Sequence, residues 1–151
     1  LIQKANTNIR QPVGRIMAHT GKAFLNALNN KLDHLDIRRN YYALLLIENG
    51  SGSITQQDLA DMLDTDKVSV MRIVDYLSAN GYIKREKKKE DQRKYLLILT
   101  AKARKEMKGI KKAIDDLTES AFKGIDKTQR SQFEKTLRQI SENIKEINRQ
   151  K

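Results

Sequence analysis

Residues 55–100 read TQQDLADMLDTDKVSVMRIVDYLSANGYIKREKKKEDQRKYLLILT, and the order of signals inside this stretch decides the fold. Thr55-Gln56-Gln57-Asp58 has the capping-box form, in which a threonine hydroxyl accepts a backbone N–H from the first turn of a helix. Leu59, Ala60, Met62 and Leu63 form the buried side of that helix. Leu63-Asp64-Thr65-Asp66 then breaks it and offers Thr65, or Asp64, as the N-cap of a second helix, which stops at Asn80-Gly81. Past Gly81 the apolar period changes from helical to alternating. Tyr82–Glu86 reads as a strand, Lys87–Arg93 as a polar tip, and Lys94–Leu99 as a second strand rich in β-formers, together a hairpin.

Both flanks read as helix. From Pro12 to about Leu35, Val13, Ile16, Phe24, Leu28, Leu32 and Leu35 recur mostly at three- and four-residue steps, with Pro12 suited to the first helical position. Arg38–Asn49 is a second helix, too apolar at Ala43, Leu44, Leu46 and Ile47 for a surface element, and Asn49-Gly50 supplies a left-handed stop. Ser51–Thr55 leaves room for one brief strand around Ile54. After the hairpin, Thr100 caps a long helix to about Lys123, with Met107, Ile110, Ile114, Leu117 and Ala121 on one face. Gly124 interrupts it, and a last helix from about Lys127 carries Phe133, Leu137, Ile140, Ile144 and Ile147.

Helix, short strand, helix, tight turn, helix and two-stranded hairpin, in that order, make a winged helix-turn-helix. The expected fold class is therefore mainly α with a small β-hairpin wing, flanked by long N- and C-terminal helices that could also serve a partner subunit. The expected organisation is one domain over 1–151, with an N-terminal helix at 12–37, the winged lobe at 38–99 and C-terminal helices at 100–151, the terminal helices being those that would pair in a dimer.

Charge points to the class of partner. Lysine and arginine number 30 against 19 acidic residues, a formal net charge of +11, which favours a polyanion. The excess is concentrated between Tyr82 and Tyr95, where Lys84, Arg85, Lys87, Lys88, Lys89, Arg93 and Lys94 face only Glu86, Glu90 and Asp91. The chain has no cysteine, which removes disulfides, thiolate metal sites, thiol nucleophiles and thiol-based oxidant sensing. No apolar run approaches the roughly 18 residues of a membrane span, so a cytoplasmic protein without membrane contact is expected. His19 and His34 lie far apart, and no HExxH, glycine-rich phosphate loop or serine elbow occurs. The reading is of a protein that is not an enzyme and needs no metal or cofactor. A metal-responsive regulator stays open as an alternative, because His19, His34, Asp33 and Asp36 could assemble across a dimer.

The second helix of the motif can enter a major groove about 12 Å wide while its predecessor braces it on the backbone. Val70, Ile73, Val74 and Leu77 share an inward face, leaving Lys67, Val68, Ser69, Met71, Arg72 and Tyr76 wholly or partly outward; Met71, a side chain more often used in packing than in readout, is left out of the reading set. Arg72 suits bidentate pairing with guanine O6 and N7, Ser69 a phosphate or base edge, Lys67 a phosphate, and Val68 a thymine methyl. In the wing, Arg93 suits a narrow minor groove, with Asp91 expected to hold its guanidinium in position. Lys87, Lys88, Lys89 and Lys94 add phosphate contacts.

These residues carry a resemblance to a known family. The capped helix from Thr55, Arg72-Ile73-Val74-Asp75-Tyr76-Leu77, Gly81-Tyr82-Ile83, Asp91-Gln92-Arg93 and Leu99-Thr100 match, in order and spacing, the signature of the MarR family of transcriptional regulators. The signature covers about a third of the chain. The resemblance implies an obligate homodimer with interlocking terminal helices, a pseudo-palindromic double-stranded DNA site, and repression relieved by a small ligand. It implies a ligand pocket bordered by the first helix and Arg38–Ile47, with His19, Tyr41 and Tyr42 as candidate contacts. Two half-sites would lie about one helical turn, roughly 10 base pairs, apart. The competing reading from another class is a winged-helix protein-interaction module whose basic wing binds an acidic partner. Double-stranded RNA would leave the recognition helix unused, because its major groove is too narrow.

Overall fold

The computed structural model describes residues 11–89 and 91–150. Among them lie six helices and one hairpin: α1 (Val13–Lys31), α2 (Tyr41–Asn49), α3 (Gln56–Met62), α4 (Lys67–Ala79), β1 (Ile83–Lys87), β2 (Tyr95–Leu99), α5 (Ala101–Ala121) and α6 (Lys127–Arg149). The mainly helical architecture with a β-hairpin wing agrees with the expectation. The chain divides into two compact units, one ending at Ile114 and the other beginning at Asp115.

The core of the first unit follows from the periods in the sequence. Ala43, Leu44 and Ile47 of α2, Leu59 and Ala60 of α3, Val70, Val74 and Leu77 of α4, and Leu97 and Leu99 of β2 are buried together with Ala103, Met107 and Ile110 of α5. α2 is apolar on most sides because it packs on both α3 and β2, and α4 is sandwiched by α3 and β1. Burying one of the large side chains among these contributes roughly 1.5–3 kcal/mol, so the lobe is held by the joint burial of α2, α3, α4, β2 and the start of α5. β1 and β2 pair antiparallel with Ile83 opposite Leu99, Arg85 opposite Leu97 and Lys87 opposite Tyr95. The brief strand expected around Ile54 is a single bridge, Thr55 to Leu96, with the Leu97 N–H donating to the Ile54 carbonyl at 2.8 Å.

Helix ends show where local signals sufficed and where they did not. Thr55 forms the full capping box: its hydroxyl accepts the Asp58 N–H at 3.2 Å, and the Asp58 carboxylate accepts the Thr55 N–H at 2.8 Å. Thr100 caps α5, accepting the Ala103 N–H at 3.2 Å while its hydroxyl donates to the Gly81 carbonyl at 2.7 Å. Gly81, at φ +73°, closes α4 as expected, with the Tyr82 N–H donating back to the Leu77 carbonyl at 2.9 Å.

Five helix boundaries differ from the expectation. α4 is capped by Asp66, not Thr65 or Asp64, because Asp64 takes the left-handed conformation (φ +51°) that ends α3 and Thr65 donates its N–H back to the Ala60 carbonyl. Gly50 is not a left-handed stop: its φ is −75°, and Ser51 (φ +48°) and Gly52 (φ +84°) make the left-handed turn. Pro12 stands at the N-cap rather than the first helical position. α1 ends at Lys31 instead of near Leu35, and the next helix begins at Tyr41 instead of Arg38. Leu32, Leu35 and Ile37 keep the apolar spacing and are buried, but in turns, with Arg38 at φ +48°.

In the second unit Asp126 caps α6 in a capping box with Gln129. Phe122 and Phe133 meet edge to face with centroids 5.9 Å apart, and Arg130 reaches Glu119 at 2.8 Å and Glu134 at 3.2 Å. No residue of α6 is buried.

Candidate nucleic-acid interface

α4 has a defined outward stripe because its inward one is fully committed. Val70, Val74 and Leu77 are buried and Ile73 half-buried, so Lys67, Val68, Met71, Arg72 and Asp75 stand exposed on the opposite side. Val68 is 53% exposed and Met71 45%, so Met71 stands outward as its place in the helical period predicts and is not engaged in packing. Among the described residues Arg72 has no ion-pair partner.

The start of α4 is rigidly built. One Asp66 oxygen accepts the Val68 and Ser69 N–H groups, each at 2.9 Å, and the other accepts the Ser69 hydroxyl at 2.6 Å. The Ser69 hydroxyl and N–H hold the Asp66 carboxyl below the usual carboxylate range. Ser69 thus directs its proton at Asp66, leaving only lone pairs for a ligand. Tyr76 is engaged as well. Its hydroxyl donates to Asp36, which pushes the phenol pKa up, and the Arg38 guanidinium lies 4.2 Å from its ring centroid. The turns after α1 are thereby tied to the recognition helix, a link the sequence could not disclose across 40 residues.

The wing is tied to the same helix from the other side: Arg85 of β1 donates to Asp75 of α4 at 2.5 Å. Sequence reasoning passed over both residues as partners; their opposite signs ten positions apart become meaningful only once the hairpin packs on α4. Lys88, Arg93 and Lys94 are brought together with Arg85 around a cleft of about 390 Å³ that faces Thr55–Asp58 of α3. The Thr55 hydroxyl, with smaller help from Lys88 and Lys94, holds the Asp58 carboxyl below its ordinary range. Lys87 and Lys89 are exposed outside that cleft, and Glu90 lies outside the described residues. Asp91 accepts the Arg93 backbone N–H at 3.1 Å and sits 3.7 Å from the Lys94 ammonium. It therefore shapes the tip backbone rather than holding the Arg93 guanidinium.

Of the candidate pocket residues, His19 is exposed on α1, Tyr42 is half exposed, and Tyr41 is partly buried, with burial raising its phenol pKa. None of the three lines the wing cleft or the open cleft at Asn29–Arg39. Among the described residues no group of three or more histidines and carboxylates is placed to hold a metal, and no helix is long and apolar enough to cross a membrane.

Comparison with known proteins supports the geometry. Residues 37–94 match the model of the MarR family. The multiple antibiotic resistance protein MarR of Salmonella typhimurium is 32% identical over 89 residues, 59% of this chain; the match spans 62% of that protein's length. The fold is shared with the MarR protein from Peptoclostridium difficile, at a TM-score of 0.82 and 21% identity over 94% of this chain and 93% of that one. A mutant MarR from E. coli, solved in complex with operator DNA, superposes with a TM-score of 0.79 and 24% identity, covering 85% of this chain and 93% of that one.

Proposed function

We propose that this chain, whose residues 37–94 match the MarR family model, is a transcriptional regulator that binds double-stranded DNA sequence-specifically. The carrying observation is the pairing of α4's exposed stripe with a cationic wing cleft, both anchored on one helix through Asp66, Asp36 and Arg85. Lys67, Val68 and Arg72 enter the major groove, while Lys87, Lys88, Lys89, Arg93 and Lys94 meet phosphates and the neighbouring minor groove, with Asp91 shaping the tip. Ser69 and Tyr76 contribute chiefly by fixing the helix. A MarR structure solved with operator DNA supports this mode of binding.

The chain works as a homodimer built on its terminal helices. α1 leaves Val13, Ile16 and Leu25 exposed, and α6 leaves Phe133, Ile144 and Ile147 exposed, more apolar surface on two helices than a monomer needs. Two copies read a pseudo-palindrome and repress transcription. An effector bordered by His19, Tyr41 and Tyr42 would release the DNA by favouring a spacing of the recognition helices that no longer matches successive grooves.

The test is fluorescence anisotropy with a duplex from the chain's own promoter, run across a salt series against a scrambled duplex. Selective retention of the promoter at moderate salt is the expected result. Equal affinity for both duplexes at every salt concentration would overturn sequence-specific regulation.

A further inference from the structure

Fewer groups on α4 can read a base edge than its sequence offers. The Ser69 hydroxyl donates to Asp66, Asp75 accepts from Arg85, and Tyr76 is held by Asp36 and Arg38. The helix KVSVMRIVDYLSA contains no asparagine or glutamine, the side chains that pair bidentately with adenine. What the outward stripe presents is one guanidinium, Arg72, and two apolar side chains, Val68 and Met71, with Lys67 at the helix start.

Each of these has one good counterpart in a major groove. A guanidinium matches the two acceptors of guanine, and an apolar side chain matches the C5 methyl that only thymine displays there. Val68 and Met71 lie three residues apart, so they share a face and are offset along the helix by about 4.5 Å. Base pairs are stacked about 3.4 Å apart, which brings the two side chains to neighbouring pairs. Resting on the DNA-binding reading above, we infer that Met71 and Val68 read thymine methyl groups, so that each half-site carries a guanine for Arg72 beside two thymines. Met71 is thereby a specificity-determining residue. Its exposure beside Lys67 and Arg72 fits a duplex better than an apolar partner, because the same face carries one cation suited to a phosphate and one suited to guanine.

The experiment selects tight binders from a random-sequence duplex library with the full chain, then replaces each thymine of the selected site by deoxyuridine, which deletes only the methyl. Two thymines per half-site are expected to lose about four-fold in affinity on this replacement. In Met71→Ala one of these two sensitivities vanishes and the other stays; in Val68→Ala the pattern is reversed. Both side chains are exposed, so the variants keep the fold, which circular dichroism checks. Selected sites that tolerate deoxyuridine throughout, or a Met71→Ala protein retaining both sensitivities, overturn the inference and leave sequence-specific binding intact. A library that yields no enriched sequence overturns the DNA-binding reading itself.

Discussion

At Gly50 the backbone is ordinary, yet no side chain fits. A Cβ there would lie 2.2 Å from Ile54 Cγ1, because Ile54 folds back under the end of α2 to reach the core. The glycine is needed for close approach and not for a left-handed turn, so Gly50→Ala acts as an overpacking substitution. It should destabilise the chain by about 1–3 kcal/mol, read as a lower urea midpoint at unchanged slope. Arg72 and Lys88 make a second contrast at this scale. Arg72→Ala should weaken binding by about 1–3 kcal/mol and relax preference at particular bases. Lys88→Ala should weaken all sequences alike and lower the salt slope by about 0.9 for each phosphate that the lysine neutralises. Titration of both variants on matched and mismatched duplexes separates the roles; identical behaviour would contradict the division between reading and anchoring.

At the scale of elements, two helix starts differ in how legible they were. The box at Thr55 needs only residues three apart, so spacing alone located it, and Thr55→Ala should cost about 1 kcal/mol of stability in a denaturant melt. At the start of α4 the sequence reading names Thr65 or Asp64 and passes over Asp66, although its side chain is equally competent to cap. The turn settled it by sending Asp64 left-handed to finish α3, which pushed the cap to Asp66. A pH dependence follows. The Asp66 pKa is lower in the folded chain than its unfolded value of about 3.9. Its contribution is therefore complete above that value and is lost as pH falls through the lower folded one. Urea melts at pH 7 and pH 3 should show a smaller acid loss for Asp66→Asn than for the parent; equal losses would mean the carboxylate at this cap is immaterial.

At the scale of the whole molecule, the apolar residues of α1 and α6 matter most. Long heptad-like spacing was plain in the sequence, and in the single chain it leaves Val13 at 69% exposure and Ile147 at 59%. If a second copy covers these residues, Ile144→Glu should raise the dimer dissociation constant by roughly ten-fold or more, measured by sedimentation at micromolar concentration. DNA affinity should fall with it, since each subunit supplies one recognition helix. A parent chain that sediments as a monomer at that concentration would contradict the dimer.

Local pattern determined most of the fold: helical period on both flanks, alternation in the wing, two caps and the Asn80-Gly81 stop are interactions between residues near one another in sequence, and such contacts survive in the order of letters. What tertiary structure alone decided were the pairings across distance. Tyr76 with Asp36 and Arg38, and Arg85 with Asp75, arise only when separate elements are packed. That packing also chose which polar groups of α4 turn inward to its own neighbours, and so left Arg72, Val68 and Met71 as the surface available to a groove. Hydrogen-bonding capacity is set by residue type, but its direction is set by whichever partner the fold brings within about three ångströms.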